Sequence, residues 1–173
     1  MQLSTDKLET GRNIKSFYFG YSNISNETLP QFIKMTTDLY FGFPAHETAK
    51  LQALLSTSPI YLYQFAFDGQ YGSLEVEGTP QGEELGYLFA FESLISLNLS
   101  LADTEVQTSY DFVKMWTDFA KTGNPTPDDQ LNLKWLPYNN EEHYCLLIDG
   151  TLTLAKDIDK DRMDFCEGLY NRR

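Results

Sequence analysis

The chain has 173 residues, 42% of them hydrophobic and 14% aromatic. That is enough for one domain with a core and too apolar for a disordered segment. The net charge is −12, and the 13 Lys and Arg form no basic run, which argues against nucleic-acid binding and for a solvated acidic surface.

Helix signals begin at Asn26 and run to Leu39. Asn26 can cap, Pro30 falls in the first turn, and Phe32, Met35 and Leu39 recur at spacings of three and four. Phe41-Gly-Phe-Pro44 reads as a turn, and Ala45 to Leu55 as a helix with one apolar side. Ile60 to Phe67 is the strongest strand, rich in β-branched and aromatic residues and bounded by Pro59 and Asp68-Gly69. It is apolar at nearly every position, so burial on both faces is expected, as in a sheet covered by helices. A Gly-rich, acidic loop from Asp68 to Pro80 follows, and helix resumes near Gly82 toward Phe91.

Asp103 opens the longest predicted helix, which runs to about Thr122. Val106, Tyr110, Val113, Thr117 and Ala120 form its apolar stripe, with Phe112, Trp116 and Phe119 beside it. Gly123-Asn-Pro125 stops it. Tyr144 to Ile148 and Thr151 to Leu154 read as strands joined by the hairpin signal Asp149-Gly150. Asp161 to Tyr170 closes as a helix. The class is α/β. One long core strand needs neighbours on both sides, and the hairpin supplies one edge at most. An incomplete sheet is expected, belonging to a larger one.

Several residues invite chemistry and carry little. Cys145 and Cys166 make no disulfide framework and read as small buried hydrophobes, with a bridge between them unsupported. His46 reads as a surface or capping residue and His143 as exposed, and their spacing gives no zinc site. Asp157-Ile-Asp-Lys-Asp161 starts like a calcium loop, but Arg162 stands where Gly is required, so the acids read as charges at the start of the last helix. Asn23, Asn26 and Asn98 open N-glycosylation sequons, a short motif that arises often by chance. No run of about 18 apolar residues is present to cross a membrane. The first residues have no apolar signal-peptide core, so secretion would need a signal encoded upstream of Met1.

The most informative run is Glu77-Gly-Thr-Pro-Gln-Gly-Glu-Glu-Leu-Gly-Tyr-Leu-Phe89, a Gly/Pro turn entering an acidic, then apolar, helical start. With Thr37-Asp-Leu-Tyr-Phe-Gly-Phe-Pro-Ala-His46, Pro59-Ile-Tyr-Leu-Tyr-Gln-Phe65, Met115-Trp-Thr-Asp-Phe-Ala-Lys-Thr-Gly-Asn-Pro125 and Trp135-Leu-Pro-Tyr138, it resembles the C-terminal third of type-B carboxylesterases. These are the cholinesterase-like branch of the α/β-hydrolase fold, and the pattern is most like the insect esterases. Arg162-Met-Asp-Phe165 fits the terminal helix, with Cys166 where Trp is usual.

The resemblance implies one partial carboxylesterase domain over residues 1–173, with no second domain, no cofactor, no metal and small-molecule esters as substrates of the full-length family. Triad residues there come in the order Ser, acid, His. No Gly-x-Ser-x-Gly elbow exists in this sequence, so the resemblance puts the Ser and the acid upstream. On the family's His loop, Gly78, Gly82, Glu83, Glu84 and Leu85 match, and Gln81 takes the place of the His. An amide cannot carry the proton, so no esterase activity is expected from this chain. A miscoded codon at position 81 is the other account of the Gln. Asp38 resembles a structural Asp of the family, an anchor between two helices. Two rival readings stand beside the damaged enzyme. One is a non-catalytic, cholinesterase-like binding or adhesion protein with a protein partner. The other is a truncated gene product without independent function.

Overall fold

The computed structural model describes residues 7–69, 78–89 and 103–170. They fall into two compact units, Met1–Leu55 with Ile158–Arg173, and Ser56–Asp157.

The first unit is helical. Helix α1 spans Lys7–Phe19, ahead of any element the sequence predicts. Its apolar residues cluster at one end and Gly11 interrupts it, so its periodicity is faint. The next helical segment starts one residue earlier than expected, because Ser25 and not Asn26 caps it. The Ser25 N–H donates to Thr28 Oγ1 at 2.9 Å, and a 3₁₀ turn covers Asn26–Thr28. Helix α2 (Leu29–Thr37) carries Pro30 in its first turn. The expected turn at residues 41–44 is absent. A π-helical segment, Asp38–Gly42, closes with a bond from the Phe43 N–H to the Asp38 carbonyl and leads straight into helix α3 (Phe43–Leu55). That widened turn accommodates Pro44, which has no N–H to give. Helix α6 (Lys160–Tyr170) closes the unit. Phe43, Met163 and Cys166 form its core, with Leu39, Phe165 and Tyr170 packed around them. Phe17 stacks on Phe165 with ring centroids 3.9 Å apart.

The second unit holds a three-stranded sheet of β1 (Tyr63–Phe65), β2 (Tyr144–Ile148) and β3 (Leu152–Lys156), in that order. β1 pairs parallel with β2, Tyr63 opposite Leu146, and β2 pairs antiparallel with β3. β1 is shorter than the predicted Ile60–Phe67, although Leu62 and Ala66 still bond across to Leu146 and Ile148. Its side chains are half-buried, not buried on both faces. The reason is topological: among the described residues β1 has a ladder on one edge only. Such an edge recruits other strands. The isolated chain is therefore expected to self-associate, seen as light scattering that rises with concentration. A sharp cooperative melt of a soluble monomer would count against this.

Two helices cover the sheet. Helix α4 is short, Glu84–Leu88, and helix α5 spans Thr104–Thr122 behind Asp103. The expected extension of α4 toward Phe91 lies outside the described residues. The face of α5 turned to the core is not the predicted stripe. Thr108, Phe112 and Met115 are buried, while Tyr110 is 63% exposed and Val113 lies outward. Phe112 and Met115 join Tyr87, Trp135, Leu146 and Ile148 in the core, and Tyr63, Phe65 and Trp116 pack against it. Gly123 ends α5 in the left-handed region, as expected. The Asn-Pro that follows is structural. Asn124 Oδ1 accepts from Thr126 N at 2.9 Å, and Thr126 Oγ1 accepts from Trp135 N at 3.0 Å, which seats Trp135.

The hairpin turn has a tight glycine. Gly150 has φ +86°, and a Cβ there would lie 2.8 Å from the Phe67 ring and 3.0 Å from Thr104 Cγ2. Gly123 has φ +74° with open space around it. Gly123→Ala is expected to cost about 1–2 kcal/mol of backbone strain. Gly150→Ala adds an overpacking penalty of about 1–3 kcal/mol. Urea midpoints read by pulse proteolysis at low concentration should fall in that order. Equal losses would mean Phe67 yields freely.

Candidate functional site

The site begins where β1 ends. β1 and β2 are parallel, so their carboxyl ends share one side of the sheet, the side on which open α/β sheets bind ligands. The chain leaves β1 toward Asp68, whose Oδ2 accepts a bond from Gly78 N at 3.1 Å. This tethers the 78–83 turn beyond that end. The turn itself is made by Glu83 N to the Pro80 carbonyl at 3.2 Å, Leu85 N to Gly82 O at 3.2 Å and Gly86 N to Glu83 O at 2.9 Å. Gly78 has φ +119° and Gly82 has φ +88°, conformations that a side chain disfavours. Gln81 sits exposed between them. α4 then carries Tyr87 into the aromatic core, where Ser109 Oγ donates to the Tyr87 carbonyl at 2.6 Å. The fold thus brings Gly78, Gln81, Gly82, Glu83 and Glu84 onto one turn with a rigid footing.

The chemistry available there is limited. The Gln81 amide donates and accepts hydrogen bonds but takes up no proton near neutrality. Glu83 is the unusual group. Both its carboxylate oxygens are buried without a partner among the described residues, and burial, then the charges of Asp68 and Glu84, push its carboxyl above the usual range.

A second polar cluster lies in the helical unit. Asp38 is 2% exposed. It accepts from the Tyr18 hydroxyl at 2.9 Å and pairs with Arg162 Nη1 at 2.7 Å, while Arg162 Nη2 also holds Asp159. Burial pushes the Asp38 carboxyl up, against the lowering pull of Tyr18 and Arg162. Burial and the Asp38 bond raise the Tyr18 phenol as well. The cluster joins α1, the π segment and α6, so the anchor expected between two helices spans three elements. Tyr18 was not foreseen, because the helix that carries it leaves little trace in the sequence.

The carboxylesterase family matches residues 1–166 of this chain. The chain belongs to the carboxylesterase family. Juvenile hormone esterase of Heliothis virescens is 28% identical over 160 residues, covering 88% of this chain and 28% of that protein. Esterase E4 of Myzus persicae is 29% identical over 140 residues, covering 76% of this chain and 24% of that protein. The structure of juvenile hormone esterase from Manduca sexta with OTFP covalently attached superposes with a TM-score of 0.73 at 27% identity, covering 96% of this chain and 33% of that one. The fold is therefore the α/β-hydrolase fold, and the chain spans about a quarter to a third of the length of these relatives.

The remaining candidates of this carboxylesterase chain lie away from the Gln81 turn. His143 Nδ1 lies 2.8 Å from Asp157 Oδ1, and its ring stacks on Tyr138. It stands at the foot of β2 and not on the Gln81 turn. His46 lies half-buried in α3 of the helical unit. Asp157 and Asp159 adopt positive φ at the end of the hairpin and the start of α6, and Asp159 is spent on Arg162. No group of acids, His or Cys among the described residues could hold a metal. Cys145 and Cys166 are both buried thiols outside any disulfide. Asn23 and Asn26 are exposed, Thr28 of the second sequon is buried with its hydroxyl bonded to Asn23 O, and Asn98 lies outside the described residues. No described helix is long and apolar enough to cross a membrane.

Proposed function

We propose that this chain is the C-terminal portion of a type-B carboxylesterase, one partial domain, whose whole-protein reaction is hydrolysis of small carboxylic esters through an acyl-serine. In such a reaction a His accepts the serine proton and returns it to the leaving group. Gln81 stands at the position the family motif gives to that His. The observation that supports this reading is the Gln81 turn, with its two positive-φ glycines beyond the carboxyl end of β1. A turn so built presents residue 81 outward, beyond the carboxyl end of β1. The amide leaves position 81 without a proton carrier, and no Gly-x-Ser-x-Gly elbow is in the chain. The purified chain is expected to hydrolyse a nitrophenyl ester at the buffer rate. Hydrolysis above that rate, blocked by a serine-directed phosphonate, overturns the reading.

A second reading is a non-catalytic binding protein of the same family. Tyr40, Phe41, Leu54 and Leu55 of the helical unit are exposed, beside an acidic overall charge of −12. The coding sequence upstream decides between the two. A serine elbow there favours an enzyme that lost its base, and loss of the serine as well favours binding.

A further inference from the structure

Glu83 is used by neither reading, and it is the oddest group on the turn. Its two carboxylate oxygens are buried without a hydrogen-bond partner among the described residues. A carboxylate in that position has lost water and gained no bond, which disfavours the ionised form. The charged groups that act on it are both acids, Asp68 at the end of β1 and Glu84 beside it on the chain. Asp68 already holds the turn through Gly78 N. A proton on Glu83 removes the buried charge and the repulsion together. We propose that Glu83 is a proton-controlled latch, which keeps the 78–88 turn packed when protonated and releases it when ionised.

The backbone suits such a release. The turn pivots on Gly78 and Gly82, whose freedom lets it swing without a side-chain clash. The packed state holds the proton more tightly than the open one, because burial and both acids push the Glu83 carboxyl up. Packing is therefore fully favoured below the ordinary Glu range, near pH 4.3. It weakens as pH rises from there through the raised value of the packed state. Glu83 acts in this way whatever chemistry residue 81 serves.

Hydrogen–deuterium exchange read by mass spectrometry tests the latch on the full chain, and self-association does not obscure a peptide-level readout. After correction for the intrinsic pH dependence of exchange, protection of peptides covering residues 78–88 should fall severalfold between about pH 4 and pH 8. Glu83→Gln, uncharged at every pH, should keep these peptides protected at both. Peptides from α5 report on the folding of each variant. A latch is overturned by equal protection at the two pH values, by no protection at either, or by the same fall in Glu83→Gln. Loss of α5 protection in Glu83→Gln sends the test to Asp68→Asn. That variant removes one of the two repelling charges, so the fall should be smaller and complete at lower pH, and an unchanged fall overturns the latch.

Discussion

Gln81→His is expected to raise nitrophenyl-ester turnover by up to about a millionfold in a polypeptide that carries this chain together with the elbow serine and the acid. The argument is positional. Residue 81 is exposed on a turn whose bonds, Gly78 N to Asp68 Oδ2 and Glu83 N to the Pro80 carbonyl, do not involve its side chain, so the substitution leaves the turn's own bonds intact. α4 and Tyr87 hold the turn from the other side. Imidazole for amide then restores a group that takes and returns a proton near neutrality. The same substitution in the chain alone should change nothing, since neither serine elbow nor acid is in it. A rise of less than about a hundredfold in the longer polypeptide would mean that position 81 is not the proton carrier's place.

Asp38→Ala should destabilise the helical unit by about 3–5 kcal/mol. The substitution leaves the Tyr18 hydroxyl without its oxygen acceptor and takes one of two carboxylates from a half-buried Arg162. Asp159 remains on the guanidinium, which puts the expected loss toward the lower end. Asp38→Asn keeps an acceptor for Tyr18 and should lose less than Asp38→Ala. Arg162→Lys replaces a fork that reaches two acids with a point charge that serves one well. Urea midpoints by pulse proteolysis at low concentration rank the three variants. A loss below about 1 kcal/mol for Asp38→Ala would reduce the cluster to the worth of a surface pair.

Much of this was legible because local rules were strong where they applied. Asp103, Gly123 and Asp149-Gly150 each carry a backbone preference of their own, and the long helix and the hairpin lie where they put them. The Gln81 turn could be placed from its glycines for the same reason. Other features have no local signature. Phe41-Gly-Phe-Pro44 looks like a turn because Gly and Pro favour one, yet the chain stays helical through a π segment. Helix α1 shows little periodicity, and contacts such as Phe17 on Phe165 come from the far end of the sequence.

The sequence by itself determined the class of fold, the family and the turn that carries Gln81, since each rests on residue types at short spacing. Tertiary structure alone decided which face of α5 lies inward. Two overlapping apolar stripes satisfy the same helical period, and only the shape of the aromatic floor made by Tyr63, Phe65, Tyr87 and Trp135 selects Phe112 and Met115. It also decided that β1 is half-buried with one paired edge among the described residues, because a strand's burial depends on its neighbours and not on its own residues. The unpartnered burial of Glu83 is of the same kind. A Glu in an acidic turn reads as a solvated charge, and only the folded packing removes its water.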